Sequence, residues 1–309
     1  MPKKMLEVKV EKITESLKVG EAPHWDECGQ VLYFVSVPEQ AIHKFNVETG
    51  EHAKAYLDGR PGFVVPVEGH QDQYVVGLER EFVVVQWDGE DGSSAKVVRV
   101  LGEIDPAVLD NRINDGKVDP AGRLFAGTMG PEDETGFQLE KGAFYRLDET
   151  GIIKICDKIT VSNGLAWDAT GQIMYYIDSW EKKIRRYDYD IDTGNLSNLS
   201  YLFDFRKQKI HGFPDGMTVD TEGNLWVAVF GGSCIVQISS EGELLRKIDI
   251  PTEQVTACTF GGKNMDILFV TTACLDGRGD EQQEPPCGCT YKITGLGVRG
   301  HSNGRFKLV

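Results

Sequence analysis

The sequence predicts an all-β chain folded as a six-bladed β-propeller, on three observations. A polar-x4-Asp-x2-Gly frame recurs at Glu21/Asp26/Gly29, Asn114/Asp119/Gly122, Asn163/Asp168/Gly171 and Asp215/Asp220/Gly223. Asp first and Gly fourth is the preference of a type I turn. An apolar run follows each frame, at residues 32–35, 124–126, 173–177 and 225–229, so each unit reads as strand, tight turn, buried strand. Units spaced by about 40 to 50 residues, with room for four short strands each, are the signature of propeller blades.

Taken in order, residues 6–13 alternate as a strand does and are expected to pair with the last blade, making residues 1–309 one closed domain. Blade 1 starts at Glu21. The interval before Asn114 holds a second unit, anchored at Phe63, with its turn at Glu68-Gly69 and a strand at 74–78. Asn114, Asn163 and Asp215 open blades 3 to 5. Thr256 opens the sixth, with Gly261-Gly262 at the turn and a strand at 267–271. Outer strands are expected at 41–46, 143–147, 152–156, 184–188 and 234–238. The first strand of a blade lines the central channel, so Glu21, Phe63, Asn114, Asn163, Asp215 and Thr256 are expected to ring one mouth of it. The segments after each second strand open onto that mouth; the longest, 130–142 and 273–287, are expected to form its rim.

Composition narrows the function. A hydrophobic content of 40% supports a substantial core. The net charge of −15 repels phosphate backbones, which argues against a nucleic-acid partner. No apolar stretch resembles a signal peptide or reaches membrane-spanning length, so a soluble cytoplasmic protein without a membrane partner is expected. A monomer acting on a small molecule is expected. Seven cysteines, odd in number and irregularly spaced, do not form a disulfide framework; Cys274, Cys287 and Cys289 read as free thiols rather than a soft-metal site, and the sequence leaves open whether they pair in an oxidising setting. Residues 295–300 match GxGxxG, but too few residues follow for a dinucleotide-binding unit. Residues 188–194 resemble the start of a calcium loop with its Gly misplaced, and read as a hairpin turn. No Gly-x-Ser-x-Gly elbow or HExxH motif occurs.

The ring carries the chemistry. Glu21 and Asp215 offer carboxylates; Asn114 and Asn163 offer amide oxygens. An all-oxygen set suits a hard divalent cation, Ca²⁺ foremost, with Mn²⁺ or Mg²⁺ possible and Zn²⁺ less suited. Asn and Asp also favour turns, but four oxygen donors at one repeat position point to a site. Arg112 lies two residues before Asn114, on the same face of an extended segment, and adds the one cation.

Several segments carry a family resemblance: residues 20–25 (GEAPHW), 111–129 (NRINDGKVDPAGRLFAGTM), 162–167 (SNGLAW), 214–217 (PDGM), 223–228 (GNLWVA), 260–264 (FGGKN) and 291–297 (YKITGLG). With them the sequence resembles the regucalcin (senescence marker protein), gluconolactonase and luciferin-regenerating-enzyme family of six-bladed propellers. The resemblance implies that Glu21, Asn163 and Asp215 ligate one divalent metal. It further implies that Arg112, Asn114 and Glu132 contact substrate, Glu132 being the weakest transfer because residues 130–142 depart from the family pattern. Ser36 is a second departure, at a position where members often carry Asp. The expected activity is metal-dependent hydrolysis of a sugar lactone or similar cyclic ester, with Asp215 as general base. The alternatives are a luciferin-regenerating or phosphotriester-hydrolysing enzyme on the same site, and a non-catalytic calcium-binding regulator.

Overall fold

The computed structural model describes residues 7–133, 136–275 and 287–308. Six four-stranded antiparallel sheets form the blades of a β-propeller. Their inner strands are Gly20–Asp26, Pro61–Pro66, Arg112–Val118, Ser162–Trp167, Phe213–Val219 and Val255–Gly261. Blades 1 to 5 each run outward in chain order. Blade 6 takes its inner three strands from Val255–Gly261, Ile267–Thr272 and Tyr291–Thr294, and its outermost from Lys9–Lys12. That N-terminal strand pairs Lys9 with Thr294 and Lys12 with Tyr291, which ties the start of the chain to its last blade. No helix among the described residues is long and apolar enough to cross a membrane.

Burial falls from the axis outward, and the sequence follows it. Second strands such as Val31–Ser36 (VLYFVS) and Leu124–Met129 (LFAGTM) are buried at every position, because neighbouring blades cover both faces. They therefore read as continuous apolar runs rather than as alternations. Outer strands such as Lys96–Glu103 are exposed along most of their length. The core lies between blades. Phe63, Phe82 and Ile113 fill the seam between blades 2 and 3; Phe125, Phe144 and Tyr176 fill that between blades 3 and 4. Trp226 meets Phe260 edge-on across blades 5 and 6, and Trp25 stacks on Phe269 where blade 6 meets blade 1.

The recurring Asp and Gly do what a turn asks of them. Gly122, Gly171 and Gly223 donate their backbone N–H to Asp119, Asp168 and Asp220 carbonyls at 3.0, 3.1 and 3.0 Å. Each Asp side chain also accepts backbone N–H groups of its own turn, as Asp119 Oδ1 does from Ala121 and Arg123 at 2.8 Å. At 188–194, too, Asp190 Oδ1 accepts Asp192 N at 3.0 Å within a plain hairpin turn.

Two expectations are corrected. In blade 2, Pro61 pairs with Leu78, as Ser162 pairs with Asp178 and Pro214 with Val229. The residue in register with Asn163 and Asp215 is therefore Gly62, not Phe63. A slip of one residue reverses the side-chain direction, and Phe63 points into the seam beside Phe82, fully buried. The turn of this blade carries Val67 where others carry Asp, so the frame had no marker to fix it. The second correction concerns sulfur: Cys274 and Cys287 form a disulfide with Cα atoms 5.1 Å apart, while Cys289 stays free and buried. Cys274 follows the strand Ile267–Thr272 and Cys287 precedes Tyr291–Thr294; the two strands are adjacent in blade 6, which returns the cysteines to one place.

Asp220 offers a test of the turn chemistry. It is fully buried and accepts from Trp226 Nε1 at 2.9 Å and Gln237 Nε2 at 3.1 Å besides its own turn. Asp220→Ala leaves these donors without an acceptor and is expected to cost about 3 kcal/mol. Urea unfolding would show it as a lowered midpoint; an unchanged midpoint would refute it.

Candidate functional site

Each ring position coincides with an irregularity in the inner strand. The pairing register shifts between Ile113 and Asp115, Ser162 and Leu165, Pro214 and Met217, and Val255 and Ala257. Asn114, Asn163, Asp215 and Thr256 sit inside these bulges, and a bulge re-aims a side chain out of the regular pleat. Glu21 lies at the edge of the bulge in blade 1, beside Ala22, whose φ of 47° is left-handed. Two glycines then let the inner strands close in. A Cβ on Gly164 would stand 2.6 Å from Asp215 O, and one on Gly216 would stand 2.4 Å from Ala257 Cβ. The residue after Asn163 and after Asp215 must be small for neighbouring blades to meet.

Hydrogen bonds join the ring. Asn114 Nδ2 donates to Ser162 O at 2.7 Å and to Asn163 Oδ1 at 3.1 Å. Asn163 Nδ2 donates to Ser179 Oγ at 2.8 Å, which in turn donates to Pro214 O at 2.7 Å. Asn163 is thus turned with its amide nitrogen outward and its oxygen toward Asn114. Asp215 follows Pro214 directly, and its Oδ1 is buried without any hydrogen-bond partner. Glu21 Oε2 accepts from Ala22 N at 2.9 Å.

The electrostatics are those of crowded acids. Burial, then Glu21 and Asp115, hold the Asp215 carboxyl well above the usual range. Burial, then Asp115, push Glu21 up to about 8, opposed by Arg112. Asp115, one residue past Asn114, is itself raised to about 6 by burial and partly offset by Lys117. Neither Asp115 nor Lys117 stood out in the sequence; their two-residue spacing, which puts both on one strand face, was the available signal. His24 is buried deeper, beside Asp115 and Lys117 along a cavity of about 20 Å³, and burial drives its pKa down to about 3.

The remaining predicted residues divide. Arg112 lies at the mouth, half-buried, with Nη1 donating to Ile113 O at 3.0 Å, close enough to Arg60, Glu21 and Glu79 to feel their charge. Burial lowers its pKa only to about 10, so it stays a cation at neutral pH. Glu132 is exposed, on a two-residue strand paired with Phe137. Thr256 is not a free donor: its Oγ1 lies 2.6 Å from Gly20 O and 2.9 Å from Thr271 Oγ1, where it links blade 6 to blade 1. Asn111, from the same motif as Arg112, is a buried tie whose Nδ2 donates to Asp105 and to Lys141 O.

Among the described residues no group of three His, Cys, Asp or Glu side chains could hold a metal ion. The ring differs from such a group in that one of its three expected ligands is an amide. Its residues still fit a hard cation: the donors are oxygens, and the orphaned Asp215 Oδ1 has no protein partner. Glu21 and Asp215 are also neighbouring acids with no ion pair to either among the described residues, and ionising both there is costly unless a positive charge offsets them.

A six-bladed propeller with an oxygen-donor ring at one mouth is the class of protein that fold and site define. The model of the SMP-30/Gluconolactonase/LRE-like region matches residues 19–274, and the chain belongs to that family. Regucalcin of Sus scrofa is 36% identical over 302 residues, covering 96% of this chain and 97% of that protein. The structure of a luciferin-regenerating enzyme is 38% identical, with a TM-score of 0.91 over 98% of this chain and 100% of that one. A calcium-binding regucalcin from Agrobacterium tumefaciens, 20% identical at a TM-score of 0.84 over 96% of this chain and 97% of that one, shares the fold.

The raised carboxyls set a pH dependence. A carboxyl whose folded pKa lies above its ordinary 4.5 favours the metal-free fold most at low pH, and that contribution is lost as pH rises toward about 8. A cation needs the ionised form. Ca²⁺ is therefore expected to bind the metal-free protein more tightly at pH 8 than at pH 6, and to raise its melting temperature more. Calorimetric titration at the two values is the check; equal affinity would show that Glu21 and Asp215 are not involved.

Proposed function

We propose that this protein is a divalent-cation-dependent hydrolase of a sugar lactone or similar cyclic ester, with Ca²⁺ as the favoured ion. The observation that carries the proposal is the buried, unpartnered Asp215 Oδ1 beside Glu21, in a ring whose third member, Asn163, is held by Ser179. Family membership supports a lactonase-like activity. Glu21, Asn163 and Asp215 would hold the cation. When bound, it would polarise the ester carbonyl and offset charge developing on its oxygen.

The side chains supply the rest. Asp215 acts as general base: it takes a proton from water as the water oxygen bonds to the carbonyl carbon. The ring C–O bond then breaks, the leaving alkoxide takes up the proton, and an open hydroxy acid results. Burial, then Glu21 and Asp115, raise the Asp215 carboxyl in the metal-free protein; a bound cation would lower it, and a weak base suffices towards a water that the cation activates. Arg112 and Asn114 orient hydroxyl and carbonyl oxygens, with Glu132 a further substrate contact. Gly62, at the ring position of blade 2, adds no donor; a Cβ there would stand 2.8 Å from Ile113 O and 2.9 Å from Asn114 O, so its absence lets the backbone of blade 3 approach.

Two other readings rest on particular relatives. Identity of 38% to a luciferin-regenerating enzyme favours an enzyme with the same site and a different substrate; phosphotriester hydrolysis on that site is the companion alternative. The relatives named regucalcin favour a calcium-binding protein without turnover. Metal analysis of the purified protein, with hydrolysis of aldonolactones, aryl esters and phosphotriesters under Ca²⁺, Mn²⁺, Mg²⁺ and Zn²⁺, separates the three. Tight Ca²⁺ binding with no hydrolysis at all would establish the last.

Asp215→Asn is expected to abolish turnover while the protein remains folded; activity within about tenfold of wild type would remove Asp215 from the role of base. Ser179→Ala frees the Asn163 amide to rotate and is expected to weaken cation affinity about tenfold or more. Calorimetric titration of the variant tests this, and wild-type affinity would mean that Asn163 is not a ligand.

A further inference from the structure

Trp180 stands beside the ring with part of its indole in solvent, 37% exposed. It follows Ser179, whose hydroxyl bonds both Asn163 and Pro214 O. Phe213 precedes Pro214 and stacks on Trp180, ring centroids 5.2 Å apart and planes 22° apart. Phe137 meets Trp180 edge-on at 6.1 Å and 81°. The three rings form a corner at the mouth, one residue removed from the network that holds Asn163. Phe137 also pairs in register with Glu132, so the proposed substrate-contacting acid and the aromatic corner share a hairpin.

The turn bearing Trp180 is built to stay still. Asp178 Oδ1 accepts Trp180 N at 3.2 Å and Val161 N at 3.1 Å. Arg206 donates to Trp180 O at 3.0 Å and to Glu181 O at 2.9 Å, and Arg185 grips Glu181 through two hydrogen bonds at 2.8 and 2.7 Å. Lys182 Nζ lies 3.8 Å from the Phe213 ring centroid, which occupies that ring as well. Folding would not need an indole left half in water on so fixed a turn, whereas binding profits from a rigid flat surface set in advance. An L-shaped pair of rings fits a planar ring, which would stack on the indole and present an edge to Phe137.

We propose that the Trp180–Phe213–Phe137 corner is a substrate subsite for a planar aromatic substituent, so that the cyclic ester this protein prefers carries an aryl group. The inference rests on the hydrolase reading above and names its substrate class. The polar side of the mouth, Arg112 with the Arg60–Glu79 pair, takes the oxygen-rich part, and the corner takes the flat apolar part.

Hydrolysis of γ-phenyl-γ-butyrolactone and of γ-valerolactone, which differ in phenyl against methyl beside the same leaving oxygen, tests the subsite in the Ca²⁺-supplied protein. Wild type is expected to favour the phenyl lactone in kcat/KM by about tenfold, chiefly through KM. Trp180→Ala should remove most of that ratio and Trp180→Phe should keep part of it. A wild-type ratio near one, or a ratio that Trp180→Ala leaves in place, overturns the subsite and leaves the lactonase reading standing. If neither lactone is hydrolysed under any of the four metals, the aldonolactones decide the lactonase reading, and calorimetric binding of the same two compounds decides the subsite. Phenyl-selective binding weakened about tenfold in Trp180→Ala supports it; equal binding of the two compounds overturns it.

Discussion

The mouth of this propeller depends on how closely its inner strands approach one another around the axis. Oxygen donors can converge only if neighbouring blades meet backbone to backbone, and Gly164 and Gly216 remove the atoms that would prevent it. The bulges at Asn114, Asn163 and Asp215 take up the geometric mismatch and turn those side chains out of the pleat. Apolar seams between blades hold the approach in place. Large rings such as Trp226 against Phe260 and Phe125 against Trp167 are each worth several kcal/mol if truncated, about 3 to 5 by analogy with other cores. The seams stabilise what the channel strains: Glu21, Asp115 and Asp215 bury negative charge in one neighbourhood, with Lys117 and Arg112 as partial compensation.

This balance explains why the site is built from backbone irregularity. Glu21 sits beside Ala22 in the left-handed region, and Asp215 keeps a buried oxygen with no partner. Unsatisfied buried groups and strained residues cost free energy, and they persist where the surrounding fold over-determines them. Here the surroundings are the seams on either side and the Asn114–Asn163–Ser179–Pro214 chain of hydrogen bonds that crosses from blade 3 to blade 5. Side chains one step outside the ring therefore fix the orientation of those within it. The same chain carries Trp180 and Phe213 to the rim, so polar ring and aromatic corner share one rigid support.

The two corrections have a common origin. Blade 2 lacks the Asp that marks the turn in blades 1, 3, 4 and 5, and without that marker the frame lands one residue late, on Phe63 instead of Gly62. Because strands alternate sides, that single step is the difference between a channel residue and a seam residue. The cysteines misled for a related reason. Their spacing along the chain shows no framework, yet adjacent strands of blade 6 return Cys274 and Cys287 to disulfide distance.

What the sequence determined by itself is whatever repeats locally. Turn chemistry acts within four or five residues, so Asp119, Asp168 and Asp220 with their glycines mark blade after blade, and a donor five residues before each of these Asp residues marks the ring. The oxygen character of that ring, and Arg112 beside Asn114, were legible for the same reason. Tertiary structure alone decided which donors meet and in what state. Ser179 reaching Pro214 O, Asp115 near Glu21 and Asp215, Thr256 spent on Gly20 O, and Trp180 stacking on Phe213 all join different blades. Such contacts are fixed by closure of the six sheets about one axis, and no local pattern in the chain encodes the angle at which one blade meets the next.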